Sequence, residues 1–340
     1  MNEVDVSIII PVKNGANTIR DLLESLMKLE YDRKKYEVIV VDGYSTDGTR
    51  ELVLKYPVKL VMQEGDGLNA ARNTGVKNSK GRIIAFTDAD CIVPRDWVKN
   101  IVSCFKDDDV ACIGGSVKGL SKSFTSIYVD NTGLHIMPRY KKQKTLNLWR
   151  VFSYPAGCNI AFRRDLLINI GLFNEAIKYG YDDLELIERL GLNGYKIRLE
   201  PNVIVFHQHR NSIIKLIKQT YRYGRGAGIL IRKVKGARPL KIWLILYLIG
   251  FIVAITLLIV LLITGILFNN KLSLDIIKII VLTPLTWGLI YYFVKGLKKR
   301  ILKYALAYPI IDLLVILSSA IGELQQLLRG KLNNHDDDTL

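Results

Sequence analysis

Two different spacings of apolar residues divide the chain. Up to about residue 210 they come in short runs broken by Gly, Asp and Asn, whereas beyond Lys241 they form long unbroken stretches. In the first part, residues 6–11, 38–41, 59–62 and 83–86 are apolar, β-branched and of strand length. Between them, Ile19, Leu22, Leu23 and Leu26 recur at helical spacing behind a cap at Asn17, Leu52 and Val53 follow Asp47, and residues 70–76 form a third helical stretch. Strands alternating with helices predict parallel β-α-β units, an α/β domain over residues 1–210 whose sheet is covered on both faces.

The second part follows another logic. Residues 242–268 carry no charge, and at ~1.5 Å per residue these 27 positions exceed the roughly 30 Å of a hydrocarbon core. Residues 304–322 are interrupted only by Asp312, and residues 279–294 are uncharged but short unless 272–278 extend them. Three transmembrane helices are therefore expected over 242–322, at about 242–268, 274–294 and 301–322, followed by a disordered polar tail at 323–340.

Charge matters through its location. A net charge of +16 would suit a nucleic-acid binder, but ten Lys or Arg and no acid fall between Arg210 and Lys241. Lys295, Lys298, Lys299 and Arg300 occupy the loop after the second expected span. Basic loops beside spans stay in the cytoplasm, so the first domain and residues 295–300 are expected inside, and residues 269–275 with the tail acids Asp336 and Asp338 outside. Much of the excess charge thus has a membrane explanation, and no nucleic-acid partner is expected. Residues 211–241 read as a basic amphipathic segment: Ile213, Ile214, Leu216 and Ile217 among Lys215, Lys218, Arg222 and Arg225 suit anionic headgroups. No signal peptide is expected, because residues 1–5 are polar and acidic and residues 7–10 read as a buried strand. Cys91, Cys104, Cys112 and Cys158 show no CxxC spacing and read as small packing residues rather than a zinc site or disulfide framework.

In parallel sheets ligands bind beyond the carboxyl ends of the strands. Those ends read Pro11-Val12-Lys13-Asn14, then Asp42-Gly43-Tyr44-Ser45-Thr46-Asp47-Gly48, then Gln63-Glu64-Gly65-Asp66-Gly67, then Thr87-Asp88-Ala89-Asp90. All are polar, where a purely structural edge would end in simple Gly, Asn or Pro turns. Asp88 and Asp90 emerge together from a buried strand, and paired carboxylates suit Mg²⁺ or Mn²⁺ bound to a diphosphate. Asp107 with Asp109 shares the Asp-x-Asp spacing without that context and reads as a solvated turn. Asp42 reads equally as an Asx turn or as an acceptor for a base or ribose.

These segments, with Ala70-Ala71-Arg72-Asn73-Thr74-Gly75, Ala156-Gly157-Cys158-Asn159 and Gly180-Tyr181-Asp182-Asp183-Leu184-Glu185-Leu186, stand in the order and spacing of family 2 glycosyltransferases, which the chain resembles over about its first 225 residues. The resemblance implies a GT-A fold, a UDP- or GDP-sugar donor, a divalent metal and inversion at the anomeric carbon. It marks Pro11, Val12, Asn14, Asp42, Asp66, Arg72 and Asp88 as donor-binding, Asp90 with Asp88 as metal ligands and Asp183 as the general base. Gly157, Cys158, Asn159 and Asp182 fall on the acceptor side, Asp182 standing where relatives commonly have Glu. The alternative for Asp182, Asp183, Glu185 and Glu188 is the acidic first turns of an amphipathic helix.

His207 and His209 alternate after an apolar run and are expected on one strand face, where His207 could complete a metal or diphosphate site. His135 and His335 have no such context. Gln219-Thr220-Tyr221-Arg222-Tyr223 resembles the Gln-x-x-Arg-Trp element that borders the acceptor channel of related synthases, with Tyr223 in place of Trp. A basic interfacial helix is the equal alternative for Gln219 and Arg222. The expected function is sugar transfer to a lipid-linked acceptor, a polyprenyl or dolichyl phosphate or glycan, at the cytosolic face. The alternatives are a processive polysaccharide synthase or a non-catalytic nucleotide-sugar-binding membrane protein.

Overall fold

The computed structural model describes residues 4–106, 109–134, 136–147, 154–235, 238–299, 302 and 306–329. Asp107, His135, Arg300, His335 and the tail acids at 336–338 lie outside the described residues. Contacts divide the chain into two units, one of Met1–Asp130 and His135–His209, the other of Asn131–Leu134 and Arg210–Leu340.

The first unit is a nine-stranded sheet among the described residues. Strand β1 (Val6–Val12) lies between β2 (Tyr36–Asp42) and β4 (Ile83–Phe86), with β3 (Lys59–Met62) outside β2, all parallel. Every residue of β1 is buried, as a central strand covered on both faces requires. Ile8 and Ile10 pack in one layer with Leu22 and Leu23 of α1 (Ile19–Leu26), and Ile9 packs in the other with Ala71 and Val76 of α3 (Leu68–Lys77). Helix α2 (Thr49–Val53) begins where Asp47 accepts from the Thr49 backbone N–H at 3.2 Å. The expected cap at Asn17 is corrected: Thr18 holds the N-cap position of α1, without a side-chain bond.

Beyond β4 the order continues β8 (Ile160–Arg163), β6 (Val110–Gly119), β9 (Lys196–His207), β5 (Cys91–Ile92), with β7 (Lys144–Leu146) also on β9. Strand β8 runs antiparallel to both β4 and β6, so β6 points the same way as β4, and β9 is parallel to β6. Only β5, β7 and β8 are reversed, so the parallel expectation holds for the main strands. The carboxyl ends of β1, β2, β4, β6 and β9 therefore share one edge, and reversed β8 begins there. Four helices complete this unit, α4 (Trp97–Cys104), α5 (Phe124–Asn131), α6 (Arg164–Asn169) and α7 (Asp182–Leu192).

The second unit is helical: α8 (Ile213–Lys233), α9 (Arg238–Leu267), α10 (Lys271–Lys299) and α11 (Tyr308–Arg329). Among the described residues, α9 and α11 are long and apolar enough to cross a membrane. Helix α8 packs along α11 through Gly224 and Gly228, where a Cβ would strike Ser319, Glu323 and Gln326. Thr220 and Ser318 hydroxyls meet across this seam at 2.5 Å, and Tyr221 donates to Gln325. These contacts correct the expected tail boundary, because residues 323–329 continue α11 with Glu323 and Gln326 buried. Residues 131–134 join this unit: Thr132 donates to Asp312 at 2.6 Å, and the Gly133 N–H donates to the Tyr292 hydroxyl at 2.8 Å.

Candidate active site

The ends of β1 and β2 are laced into one rim. Asn14, in the left-handed region at φ 54°, donates its N–H to Ser45 Oγ (2.8 Å) and accepts from the Thr46 N–H (2.9 Å). Gly15 and Ala16 N–H donate to Thr49 and Asp47 at 2.9 and 3.0 Å. This lacing puts Pro11 and Val12 in register with Val41 and Asp42. Asp42 is fully buried: one carboxylate oxygen accepts from the Ser45 N–H at 2.9 Å, and the other has no partner among the described residues. Both readings of this residue are thus present, an Asx-type turn and a spare acceptor. Asp66 is exposed and pairs with Lys178 at 2.6 Å, which helps hold its carboxyl below the usual range.

The buried polar face of α3 organises the next group. Asn69 donates to the carbonyls of Asn174 and Ile177 (3.0 and 2.8 Å), and Asn73 holds Phe173 through both its amide groups. The strap so fixed leads through Gly180 and Tyr181, both with positive φ, into the first residues of α7. Arg72 pairs with Asp182 in a buried ion pair and feels Asp88 and Asp183 as well. Desolvation lowers the affinity of its guanidinium for the proton, but these three carboxylates outweigh that.

Asp183 accepts from the Gly157 N–H at 3.2 Å and the Leu184 N–H at 2.8 Å. Burial first, then the neighbouring Asp182, pushes its carboxyl up to about 7 against the pull of Arg72. A Cβ at residue 157 would strike Arg72, so glycine there lets the turn before β8 close on this cluster.

The third group stands on the turn that leads from β4 into β5, and at the end of β9, on which β5 pairs. Cys91 pairs in register with His207, which brings Asp90, just ahead of β5, to the end of β9. His207 Nε2 lies 3.3 Å from Asp90 Oδ1, and ligand atoms of Asp90, Cys91 and His207 all lie within 4.8 Å of one another. Burial raises the Asp88 carboxyl, and Asp90 adds to that, while Arg72 and His207 oppose it. The groups within reach of one another are a carboxylate, an imidazole and a thiol, a set that suits a borderline divalent cation, and the Asp88 carboxyl is close enough to feel both Asp90 and His207. Added positive charge would also relieve the crowding of Asp88 and Asp90, so the donor set fits such an ion.

His209 corrects one expectation: it lies past the end of β9, its N–H turned back on the His207 carbonyl at 3.0 Å, rather than on the same strand face. Its ring nonetheless meets His207, Nδ1 to Nδ1 at 2.9 Å. Asn159 uses its amide inside the core, donating to the Ser116 and Val203 carbonyls and accepting from Trp97 at 3.0 Å. Cys158 is buried and hydrogen-bonds Cys91, and this bond together with burial raises its thiol well above the usual value. Gln219 and Arg222 belong to α8 of the second unit, where Gln219 donates to the Tyr223 hydroxyl at 2.8 Å and Arg222 is exposed.

Four groups escape sequence reasoning: Asn69 and Asn73, whose signal is a helix with buried polar residues on the sheet side, Cys91 beside the carboxylates, and Asp130 behind His209.

Residues 7–171 match the family described as Glycosyl transferase family 2. The glycosyltransferase AglE of Haloferax volcanii is 32% identical over 234 residues, 65% of this chain and 72% of that protein. A Methanococcus voltae enzyme, a dolichyl N-acetyl-α-D-glucosaminyl phosphate 3-β-D-2,3-diacetamido-2,3-dideoxy-β-D-glucuronosyltransferase, is 24% identical over 67% of this chain and 74% of its own length. Among solved structures, mannosyltransferase PcManGT from Pyrobaculum calidifontis, in complex with GDP-Man and Mn²⁺, aligns with TM-score 0.61 at 22% identity, covering 95% of this chain and 88% of that one. Residues 1–349 of S. aureus TarS with UDP-GlcNAc align with TM-score 0.53 at 16% identity, covering 99% and 95%. The carboxylates gathered at the carboxyl edge of this sheet thus sit in a GT-A fold, and the chain belongs to glycosyltransferase family 2.

Proposed function

We propose that the first unit transfers a sugar, with inversion, from a UDP- or GDP-linked donor to a hydroxyl of a lipid-linked acceptor. The observation that carries this reading is Asp183, a carboxyl held near neutrality by burial and Asp182 and anchored by two backbone N–H groups. A general base works best when its pKa is close to the working pH. The acceptor oxygen bonds to the anomeric carbon as the bond to the diphosphate oxygen breaks, Asp183 takes the hydroxyl proton, and nucleoside diphosphate leaves.

The remaining residues divide around that step. Asp90, Asp88 and His207 would hold Mg²⁺ or Mn²⁺, which would supply charge neutralisation for the diphosphate. Asp42, with one uncommitted oxygen, suits a ribose hydroxyl or base N–H, on the rim formed by Pro11, Val12 and Asn14. Asp66 and Arg72 flank the donor side. Gly157, Cys158, Asn159 and Asp182 shape the acceptor side, and Gln219 and Arg222 of α8 are assigned to the acceptor as well.

The dolichyl-linked acceptor in the name of the Methanococcus relative supports a lipid-linked acceptor, and the apolar helices α9 and α11 support a bilayer setting. In this reading residues 1–210 are a cytosolic catalytic domain, residues 211–241 lie on membrane lipids, and residues 242–322 form three spans of a multi-pass membrane protein. The test is release of nucleoside diphosphate by the full chain in detergent, across UDP- and GDP-sugars, with Mn²⁺ and an extract of membrane lipids. Release that needs donor, metal and extract together is expected. No turnover with any donor would overturn the reading.

A further inference from the structure

His207 does not end in solvent on its far side. Its Nδ1 lies 2.9 Å from His209 Nδ1, and His209 Nε2 lies 3.4 Å from Asp130 Oδ1. Asp130 is fixed in turn by the Gly119 N–H at 3.0 Å and by Arg139 at 3.6 Å. The side chain of His209 is almost wholly buried, with 1% exposure. A Cβ at Gly119 would strike Ser126 Oγ and come to 3.0 Å of the His209 ring and 3.1 Å of Asp130, so glycine at the end of β6 leaves room for these three side chains together. Gly119 is also the residue paired with His207 across β6 and β9, so one backbone step ties the whole chain to the sheet edge.

Counting donors fixes the direction of the chain. A cation can be held at His207 Nε2 only by the lone pair on that nitrogen, so the ring proton must sit on Nδ1. That N–H then needs an acceptor, which has to be His209 Nδ1, leaving the His209 proton on Nε2. Only an acceptor can receive that proton, and a carboxylate stands there. Had a donor stood at position 130, both rings would turn over to the other tautomer and His207 would present N–H to the cation site.

We propose that Asp130, acting through His209, positions His207 by holding both rings in the tautomers that present the Nε2 lone pair to the cation site beside Asp90. Asp130 is a positioning residue, remote from substrate, and the inference rests on Asp90 and His207 being cation ligands. Partners that orient metal-bound histidines are worth about 10- to 100-fold in metal affinity.

The experiment is Mn²⁺ titration of the full chain in detergent, followed by the electron paramagnetic resonance signal of free Mn²⁺, with thermal unfolding measured in parallel. Asp130→Leu is expected to weaken Mn²⁺ binding about tenfold or more, and Asp130→Asn, which keeps an oxygen, by less. In a His207→Ala background Asp130→Leu should cost nothing further, since its effect passes through that ring. Wild-type Mn²⁺ affinity in Asp130→Leu, or an equal loss with and without His207, would overturn the proposal. Should Asp130→Leu fail to fold, Asp130→Asn in both backgrounds gives the same comparison. Unchanged affinity in His207→Ala itself would overturn the cation-ligand reading instead, a result distinct from the first.

Discussion

At the sheet edge of the first unit, Asp88, Asp182 and Asp183 crowd around Arg72, and Asp90 leans on His207. In the helical unit, Thr220 meets Ser318, Tyr221 meets Gln325, and Thr132 and Tyr292 both donate to Asp312. Both regions bury polar groups, but these helical pairs turn donors and acceptors on one another, where they hold helices together, and Glu323, buried on α11 with one oxygen unpartnered among the described residues, is the exception. The sheet edge leaves acids outnumbering cations, and a carboxyl pushed up to about 7 is the result. Crowded, incompletely matched charge marks a site with chemistry to do, and a mutually satisfied pair marks a joint.

The sharpest way to break this comparison is Asp183→Asn. If the edge is a working site, sugar transfer falls by roughly 10²- to 10⁴-fold, while donor binding, followed by fluorescence or calorimetry, stays near wild type. The pH profile should agree. Asp183 works as a base only when ionised, so transfer is lost as pH falls through about 7, by roughly tenfold per unit. A profile that stays flat down to pH 5 would assign the base elsewhere.

Arg72 tests whether one member of the cluster is itself a joint. Arg72→Ala leaves Asp182 buried without its partner, and breaking such a pair costs about 3–5 kcal/mol. Arg72→Lys should recover only part of this, since an ammonium lacks the planar fork of a guanidinium. Denaturant unfolding of the three proteins would show the order. An Arg72→Ala protein as stable as wild type would mean the ion pair contributes nothing to the fold.

How much of this could be read beforehand differs between the same two regions. Strand ends and their acids were legible because β-α-β periodicity fixes which end of a strand faces a ligand, so Asp42, Asp88 and Asp90 fell on one edge without any tertiary information. Reversed β8 was not legible: Ile160, Ala161 and Phe162 are apolar on both faces, as a parallel strand's residues would be, and only pairing reveals its direction. His207 was seen, but Asp130 was not, since it lies 79 residues from His209 and its helix carries no motif. In the helical unit, apolar length gave the helices, yet the end of α11 was misjudged because Glu323 and Gln326 look like a polar tail until α8 is packed against them.

That seam offers the next test. Gly224 and Gly322 have no room for a Cβ, since each faces backbone of the opposing helix, Ser319 and Tyr221 respectively. Gly224→Leu forces α8 from α11 and should destabilise the helical unit by about 1–3 kcal/mol or more. Donor binding by the sheet unit, measured in the same protein, should be unchanged. If donor affinity falls together with stability, the two regions are not the separate devices contrasted above.

The smallest effect concerns the cost of the site itself. The Asp183 carboxyl stands at about 7 in the folded chain against an ordinary 3.8, so folding favours its protonated form. A group raised in this way adds stability that is full below its unfolded value and is lost as pH rises through its folded one. At pH 8 the ionised carboxylate is therefore a burden on the fold, and Asp183→Asn removes the charge while keeping an oxygen for the Gly157 N–H. The inactive variant should unfold a few degrees above wild type at pH 8, corresponding to about 1 kcal/mol, with the gap closing near pH 4. Equal midpoints at pH 8 would mean that water solvates this carboxylate well, and the crowding at the edge would then carry no energetic consequence.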